Sequence, residues 1–322
     1  MRLLLLVLLV GVWVGLRPAK AQIASAKLMF FYGPTYNENH SFDLTNVAEI
    51  LNHIRFNPNK KTVIYVHGYL ETPEVESVHV IVDAYLKRND HNIIILDWAQ
   101  LADGNYLFEA VPNSKKLGEV LGLVILDLIN AGLDLNKLHL IGHSLGGQLA
   151  GYAGRTVIEK SKKSIKLKRI TALDPAFPPF YPGVFVSHIS HKDAEFVDVV
   201  HTDAWLYGAP VSTGTVDFWP NKGKTLQPGC PKRNYKPLTD NDLCSHRRSW
   251  WFWAESVAEP MPNFHAVKCK SWADFKLGSL ENSYPAYMGI DCDTRLRGDY
   301  YLQTNPESPY SKGPAGAKYE VP

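Results

Sequence analysis

Three apolar, largely β-branched runs constrain this chain most: residues 62–66 (TVIYV), 92–96 (NIIIL) and 137–141 (KLHLI). Strands that read as nearly continuous hydrophobic runs are buried on both faces, as in a parallel sheet covered by helices. Between the last two runs, residues 113–132 set Leu117, Val120, Leu121, Val124, Ile125 and Leu128 on a helical stripe, and Gly132 stands where such a helix stops. A second helix is expected at residues 145–159 and a further strand at 170–173 (ITAL). Repeated strand–helix–strand units with right-handed crossovers predict an α/β fold: a mostly parallel central sheet with helices on both faces. From Phe196 onward the runs shorten (FVDVVHT, TVDFWP, DYYLQT) between prolines and glycines, so they either extend one sheet edge or loop over it. Residues 306–322, rich in Pro, Gly and Lys, are expected to run over the surface or fray.

The first 21 residues, MRLLLLVLLVGVWVGLRPAKA, combine an arginine, an apolar stretch too short to span a bilayer, and Ala19-Lys20-Ala21. That pattern predicts a secretory signal peptide over residues 1–21 and a secreted, extracellular protein. The remaining 22–322, in a chain 45% hydrophobic and 20% charged, suit one large domain. A net charge of +2 argues against a nucleic-acid partner. The densest basic run, residues 160–169 (KSKKSIKLKR), falls between a helix and a strand and reads as a solvated connector before a glycan or anionic-surface contact. Asn39-His40-Ser41 is a glycosylation sequon. Four cysteines lie in the last third; in a secreted chain they suggest disulfides, the sequence-local pairings being Cys230 with Cys244 and Cys269 with Cys292. A zinc site competes poorly, because no two of these cysteines are closely spaced.

Ligands of a doubly wound sheet gather at the carboxyl ends of its strands. There the chain reads Gly142-His143-Ser144-Leu145-Gly146, the G-x-S-x-G pattern of a nucleophile elbow, with strand before and helix after. The glycines clear room for a sharp turn that presents the serine hydroxyl outward. Serine becomes a useful nucleophile only when a histidine takes its proton, and that histidine needs a carboxylate to fix its tautomer. Asp174 ends the next strand, with Asp198, Asp203 and Asp217 as rivals; His201, His246 and His265 all follow Asp174, and spacing alone does not choose among them. An oxyanion hole needs two backbone amides: Leu145 follows the nucleophile, and VHGYLET after the first strand offers Tyr69, with Gly68 allowing close approach. His67 reads as a structural hydrogen-bonder.

Together VHGYLET, LDWAQLADGNYLFEAV, LIGHSLGGQLAGYAGR, ITALDPAFPPF, DAEFVDVVHTDA, TVDFWPNKG and PGC…LCSHRRSWWFWAESV resemble the secreted lipases of the pancreatic lipase family over nearly all of the mature chain. The resemblance implies an α/β-hydrolase fold, a catalytic triad of Ser144, Asp174 and His246, and oxyanion amides at Tyr69 and Leu145. It implies no metal or organic cofactor. Relatives that act as non-catalytic yolk or lipid-carrier proteins typically lack the triad, and here all three positions hold the required residue.

Two departures shape the substrate expectation. The mammalian pancreatic enzyme carries a further β-sandwich domain, and this chain ends at Pro322, so a colipase-like partner is not expected. The family's lid, a disulfide-closed loop before the catalytic histidine, corresponds here to Cys230–Cys244, enclosing only PKRNYKPLTDNDL. Two prolines and five charges leave no place for an apolar-faced lid helix, so the site should stand open without a lipid interface. The companion loop, residues 204–215 (AWLYGAPVSTGT), also looks short, with Trp205, Leu206 and Tyr207 either touching acyl chains or simply packing. Short loops resemble the family's phospholipases A1, which cleave the first acyl ester of a glycerolipid. Neutral-lipid lipase and galactolipase are the alternatives. In WWFW (Trp250, Trp251, Phe252, Trp253), on the helix after His246, at least half must be core.

Overall fold

The computed structural model describes residues 23–184, 186–233, 236–261, 263–279 and 286–321. The expected signal peptide lies outside the described residues. Among the described residues, eleven strands form one sheet: β1 (Lys27–Phe31), β2 (Asn39–Asp43), β3 (Lys61–Val66), β4 (His91–Asp97), β5 (Leu138–His143), β6 (Arg169–Leu173), β7 (Phe196–Val200), β8 (Val216–Pro220), β9 (Phe264–Lys268), β10 (Ala286–Met288) and β11 (Gly298–Leu302). Their order is β10-β9-β11-β8-β7-β6-β5-β3-β4-β1-β2. The run from β4 through β11 is parallel, and β1, β2, β9 and β10 add antiparallel pairings at the two edges. The FVDVVHT, TVDFWP and DYYLQT runs therefore extend the sheet as β7, β8 and β11.

Four long helices cover the faces: α1 (Glu76–Arg88), α2 (Val111–Asn130), α3 (Leu145–Lys160) and α4 (Asp240–Ala258). Alternate residues of each central strand feed opposite layers. Ile64 and Val66 of β3 and Ile94 and Leu96 of β4 pack under α2 and α3 with Leu117, Leu121, Ile125 and Leu149. Val63, Tyr65, Ile93 and Ile95 face α1 and α4 with Val78, Ile81, Tyr85, Trp250 and Trp253. Of the WWFW run, Trp250, Phe252 and Trp253 are buried. This is the α/β-hydrolase fold.

The cysteine pairing is half as expected. Cys230 is bridged to Cys244, whereas Cys269 and Cys292 are buried thiols and do not form the second bridge. Strand alternation explains the correction. Cys269, two residues beyond Val267, falls in a small cluster with Val267, Tyr301 and Phe275, while Cys292 lies with Tyr300 and Phe264 in the layer on the other face. Of the two outcomes expected for the chain end, it runs over the surface and is tied down there: the Tyr310 and Ser311 amides donate to Glu255 at 2.6 and 2.7 Å, and Arg248 donates to the Tyr310 hydroxyl. In the basic run, Lys168 pairs with Glu195 at the surface, but Arg169 turns inward onto Asp198 with two bonds of 2.8 and 2.9 Å.

No helix among the described residues is long and apolar enough to cross a membrane, and no group of three or more His, Cys, Asp or Glu there can hold a metal ion.

Candidate active site

Strand register brings the candidate residues together. Val66 pairs with Gly142, His143 with Leu173, and Leu173 with Val200, so β3, β5, β6 and β7 end side by side. Strand order reverses at β3, with β4 on one side and β5 on the other, the crevice where such sheets receive ligands. The segments that leave these strands begin with His67, Ser144, Asp174 and His201.

Ser144 sits between β5 and α3 at φ 53° and ψ −119°, a strained conformation of the kind that surrounding structure must over-determine. Its amide donates to Leu173 O, and its carbonyl accepts from Gly147 and Ala176, each at 3.0 Å. Side chains on the flanking glycines would break the turn: a Cβ on Gly142 would lie 2.2 Å from Gly146 O, and one on Gly146 would lie 2.3 Å from Val66 O.

Asp174 follows β6, also at positive φ (44°), and is fully buried. Oδ1 accepts from the amides of Thr202 and Asp203 at 2.8 and 3.1 Å, and Oδ2 accepts from His246 Nδ1 at 2.6 Å. An ionised carboxylate only accepts, so Nδ1 of His246 carries the proton and Nε2 is left to take another. Gly208 closes over the pair, its backbone so near that a Cβ would stand 2.2 Å from Asp174 Oδ1.

The rivals are occupied elsewhere. Asp198 is held by Arg169 and Thr171. Asp217 bonds His201 Nε2 at 2.7 Å, and the other nitrogen of that ring meets Ala209 O, so His201 has no ring nitrogen to spare. His265 lies on β9, between β10 and β11 near one end of the sheet and far along the strand order from Ser144, and packs against Tyr287. His67 is buried between the Gly68 carbonyl and the Trp98 amide, and burial holds its pKa down, a structural role as expected. The remaining rival, Asp203, is buried beside Asp174, and its pKa is pushed up to about 7 by burial first and by the Asp174 charge second.

Ser144 and His246 line one cavity of about 950 Å3. Tyr69, Tyr106, Pro178, Leu206 and Leu238 make much of its wall apolar, while Glu76, Asp240 and Arg247 bring charge to it. Trp205 stands 58% exposed against Phe177, next in sequence to the lining residue Leu206, and Phe108 is 81% exposed two residues beyond Tyr106. The Cys230–Cys244 loop contributes Pro237, Leu238, Asp240 and Leu243, but from Asp240 onward it is already the first turn of α4. A buried carboxylate pins it: Asp242 accepts from the Tyr207 hydroxyl, from Arg233 Nε at 2.7 Å and from the Leu238 amide at 3.1 Å. Sequence reasoning singled out Tyr207 but not Asp242 or Arg233.

A serine on a strained elbow, a buried histidine–carboxylate pair and a crevice at the reversal of a mostly parallel sheet define an α/β-hydrolase. The chain belongs to the lipase family, whose model, described as "Lipase", matches residues 15–310. It is similar to lipase member H-A of Xenopus laevis, with 31% identity over 81% of this chain and 54% of that one. Similarity to pancreatic triacylglycerol lipase of Mus musculus is 28% identity over 92% of this chain and 68% of that one. The chain thus spans about half the length of the lipase member H relatives it matches. Among solved structures, a putative α/β-superfamily hydrolase from Xanthomonas campestris matches at TM-score 0.31 and 15% identity, over 47% of this chain and 76% of that one.

Proposed function

We propose that this protein is a secreted serine carboxylester hydrolase acting on glycerolipids, and that its preferred reaction is of the phospholipase A1 type, release of the first acyl chain. The observation that carries the reading is the 2.6 Å bond between His246 Nδ1 and a fully buried Asp174, with His246 and Ser144 on one cavity. Ser144 Oγ attacks the ester carbonyl as His246 Nε2 takes its proton. The oxyanion is received by the amides of Tyr69 and Leu145, and the leaving alcohol departs with the proton from His246. Water, activated by the same imidazole, then hydrolyses the acyl-serine and frees the fatty acid.

The apolar wall suits an acyl chain, and Glu76, Asp240 and Arg247 supply polar partners that a phospholipid head group requires and a triacylglycerol does not. Triacylglycerol hydrolysis is the second reading, favoured by the similarity to pancreatic triacylglycerol lipase. Fatty-acid release from phosphatidylcholine and from triolein, with Ser144→Ala as control, tests both. Faster release from phosphatidylcholine, lost in Ser144→Ala, is expected; a strong preference for triolein, with a jump in rate above the solubility limit, contradicts the phospholipase reading. Equal inertness of wild type and Ser144→Ala contradicts the hydrolase reading.

A further inference from the structure

Glu71 and His143 sit against the cavity, and neither takes part in the steps above. Glu71 lies in the turn after β3, two residues past Tyr69, and its carboxylate faces two ways. Oε2 accepts from the Gly68 amide at 2.7 Å, and Oε1 lies 3.0 Å from Nδ1 of His143. The second contact has an ion-pair distance without the alignment of a hydrogen bond. Gly68 immediately precedes Tyr69, the proposed oxyanion donor, and His143 immediately precedes Ser144. One side chain thus ties the loop that carries one donor to the strand end that carries the nucleophile and, one residue later, the Leu145 donor.

The Gly68–Tyr69 peptide needs such an anchor. Glycine imposes little on its own φ and ψ, so this peptide plane could turn away. Its amide and carbonyl point in opposite directions because the unit is planar, and holding the Gly68 carbonyl therefore aims the Tyr69 N–H. His67 Nδ1 holds that carbonyl at 3.1 Å, and Glu71 holds the amide on the other side of the Gly68 Cα. The loop is already pressed on the nucleophile, since a Cβ on Gly68 would stand 3.1 Å from the Ser144 Cβ. Both partners are withdrawn from water, with side-chain exposures of 17% for Glu71 and 3% for His143, so their contact is weakly screened. Burial alone would raise the Glu71 pKa, but the charge and contact of His143, the Gly68 amide and the charge of His67 outweigh it and hold it at about 2.

We propose that Glu71 is a positioning residue for hydrolysis: it fixes the Gly68–Tyr69 peptide against the Ser144 turn, so that both oxyanion amides are aimed before substrate arrives. The proposal rests on the hydrolase reading above. It touches no reacting atom and acts through Gly68 and His143. Steady-state hydrolysis of a soluble nitrophenyl butyrate is to be measured for wild type, Ser144→Ala, Glu71→Ala and Glu71→Gln. Affinity for an alkylboronic acid, whose tetrahedral adduct on Ser144 sets an oxygen before the two amides, provides a second readout.

Loss of one oxyanion donor costs about 10²–10³-fold in kcat, and Glu71→Ala is expected to approach that loss with KM changed by no more than about threefold. Boronate affinity should fall in parallel. Glu71→Gln keeps an acceptor for the Gly68 amide and should lose only about tenfold. A kcat for Glu71→Ala within about twofold of wild type, a loss confined to KM, or unchanged boronate affinity overturns the proposal. If Glu71→Ala does not fold, the isosteric Glu71→Gln decides: a kcat loss of about tenfold at unchanged KM supports it, and wild-type kcat overturns it. A wild type as inert as Ser144→Ala overturns the hydrolase reading instead, and this proposal with it.

Discussion

Two aspartates joined by one backbone-amide hydrogen bond meet different fates in this site. Asp174 is satisfied by two amides and an imidazole, whereas Asp203, whose own amide donates to Asp174, has no comparable set of donors and lies beside a like charge. With its pKa raised to about 7, Asp203 in the folded protein keeps a proton that the unfolded chain has released, across roughly pH 4 to 7. The stability it contributes is therefore full below about pH 4 and is lost as pH rises through 7. Asp203→Asn removes that loss, so it should raise the urea midpoint more at pH 8 than at pH 5; equal shifts at the two pH values would contradict the assignment. Ser144 was legible because G-x-S-x-G is a local pattern with its own steric reason. The choice of Asp174 among four aspartates and of His246 among three histidines came from the family resemblance and not from spacing, because it depends on partners after β7 and on α4 that no local spacing encodes. Glu71 left no sequence signal at all, since its second partner, His143, lies 72 residues away on another strand.

At the level of elements, the central strands were legible and the edges were not. Strands buried on both faces must be apolar throughout, which makes β3, β4 and β5 stand out, while β2 and β10 are edge strands and β1 and β9 lie next to them, where one face relaxes that demand. Helix α1 carried its signal, Val78, Ile81, Val82 and Tyr85 at helical spacing, without being read. The Cys230–Cys244 loop shows a boundary that sequence could not give: its disulfide marks the span, but the last four enclosed residues belong to the helix that bears His246. Sequence proximity also misled the second cysteine pairing, because the sheet stands between Cys269 and Cys292. Thiol titration without reductant should accordingly find two reactive thiols in denaturant and none in the native protein; no thiols after denaturation would restore the Cys269–Cys292 bridge.

For the whole molecule, one sheet does two jobs: its two buried faces supply the core, and the aligned carboxyl ends of β3, β5, β6 and β7 supply the site. The fold class was readable from patterning because repeated strand–helix–strand units admit few arrangements, whereas the cavity wall assembles from loops whose meeting is a property of the finished fold. The claim on which the account depends is that Ser144 is the one hydroxyl activated by the His246–Asp174 pair. Mass spectrometry of the protein after reaction with a fluorophosphonate tests it directly. The account predicts a single covalent adduct, on the peptide containing Ser144, growing in step with loss of esterase activity and absent in His246→Ala. An adduct on another residue, or full inactivation with Ser144 unmodified, would contradict it.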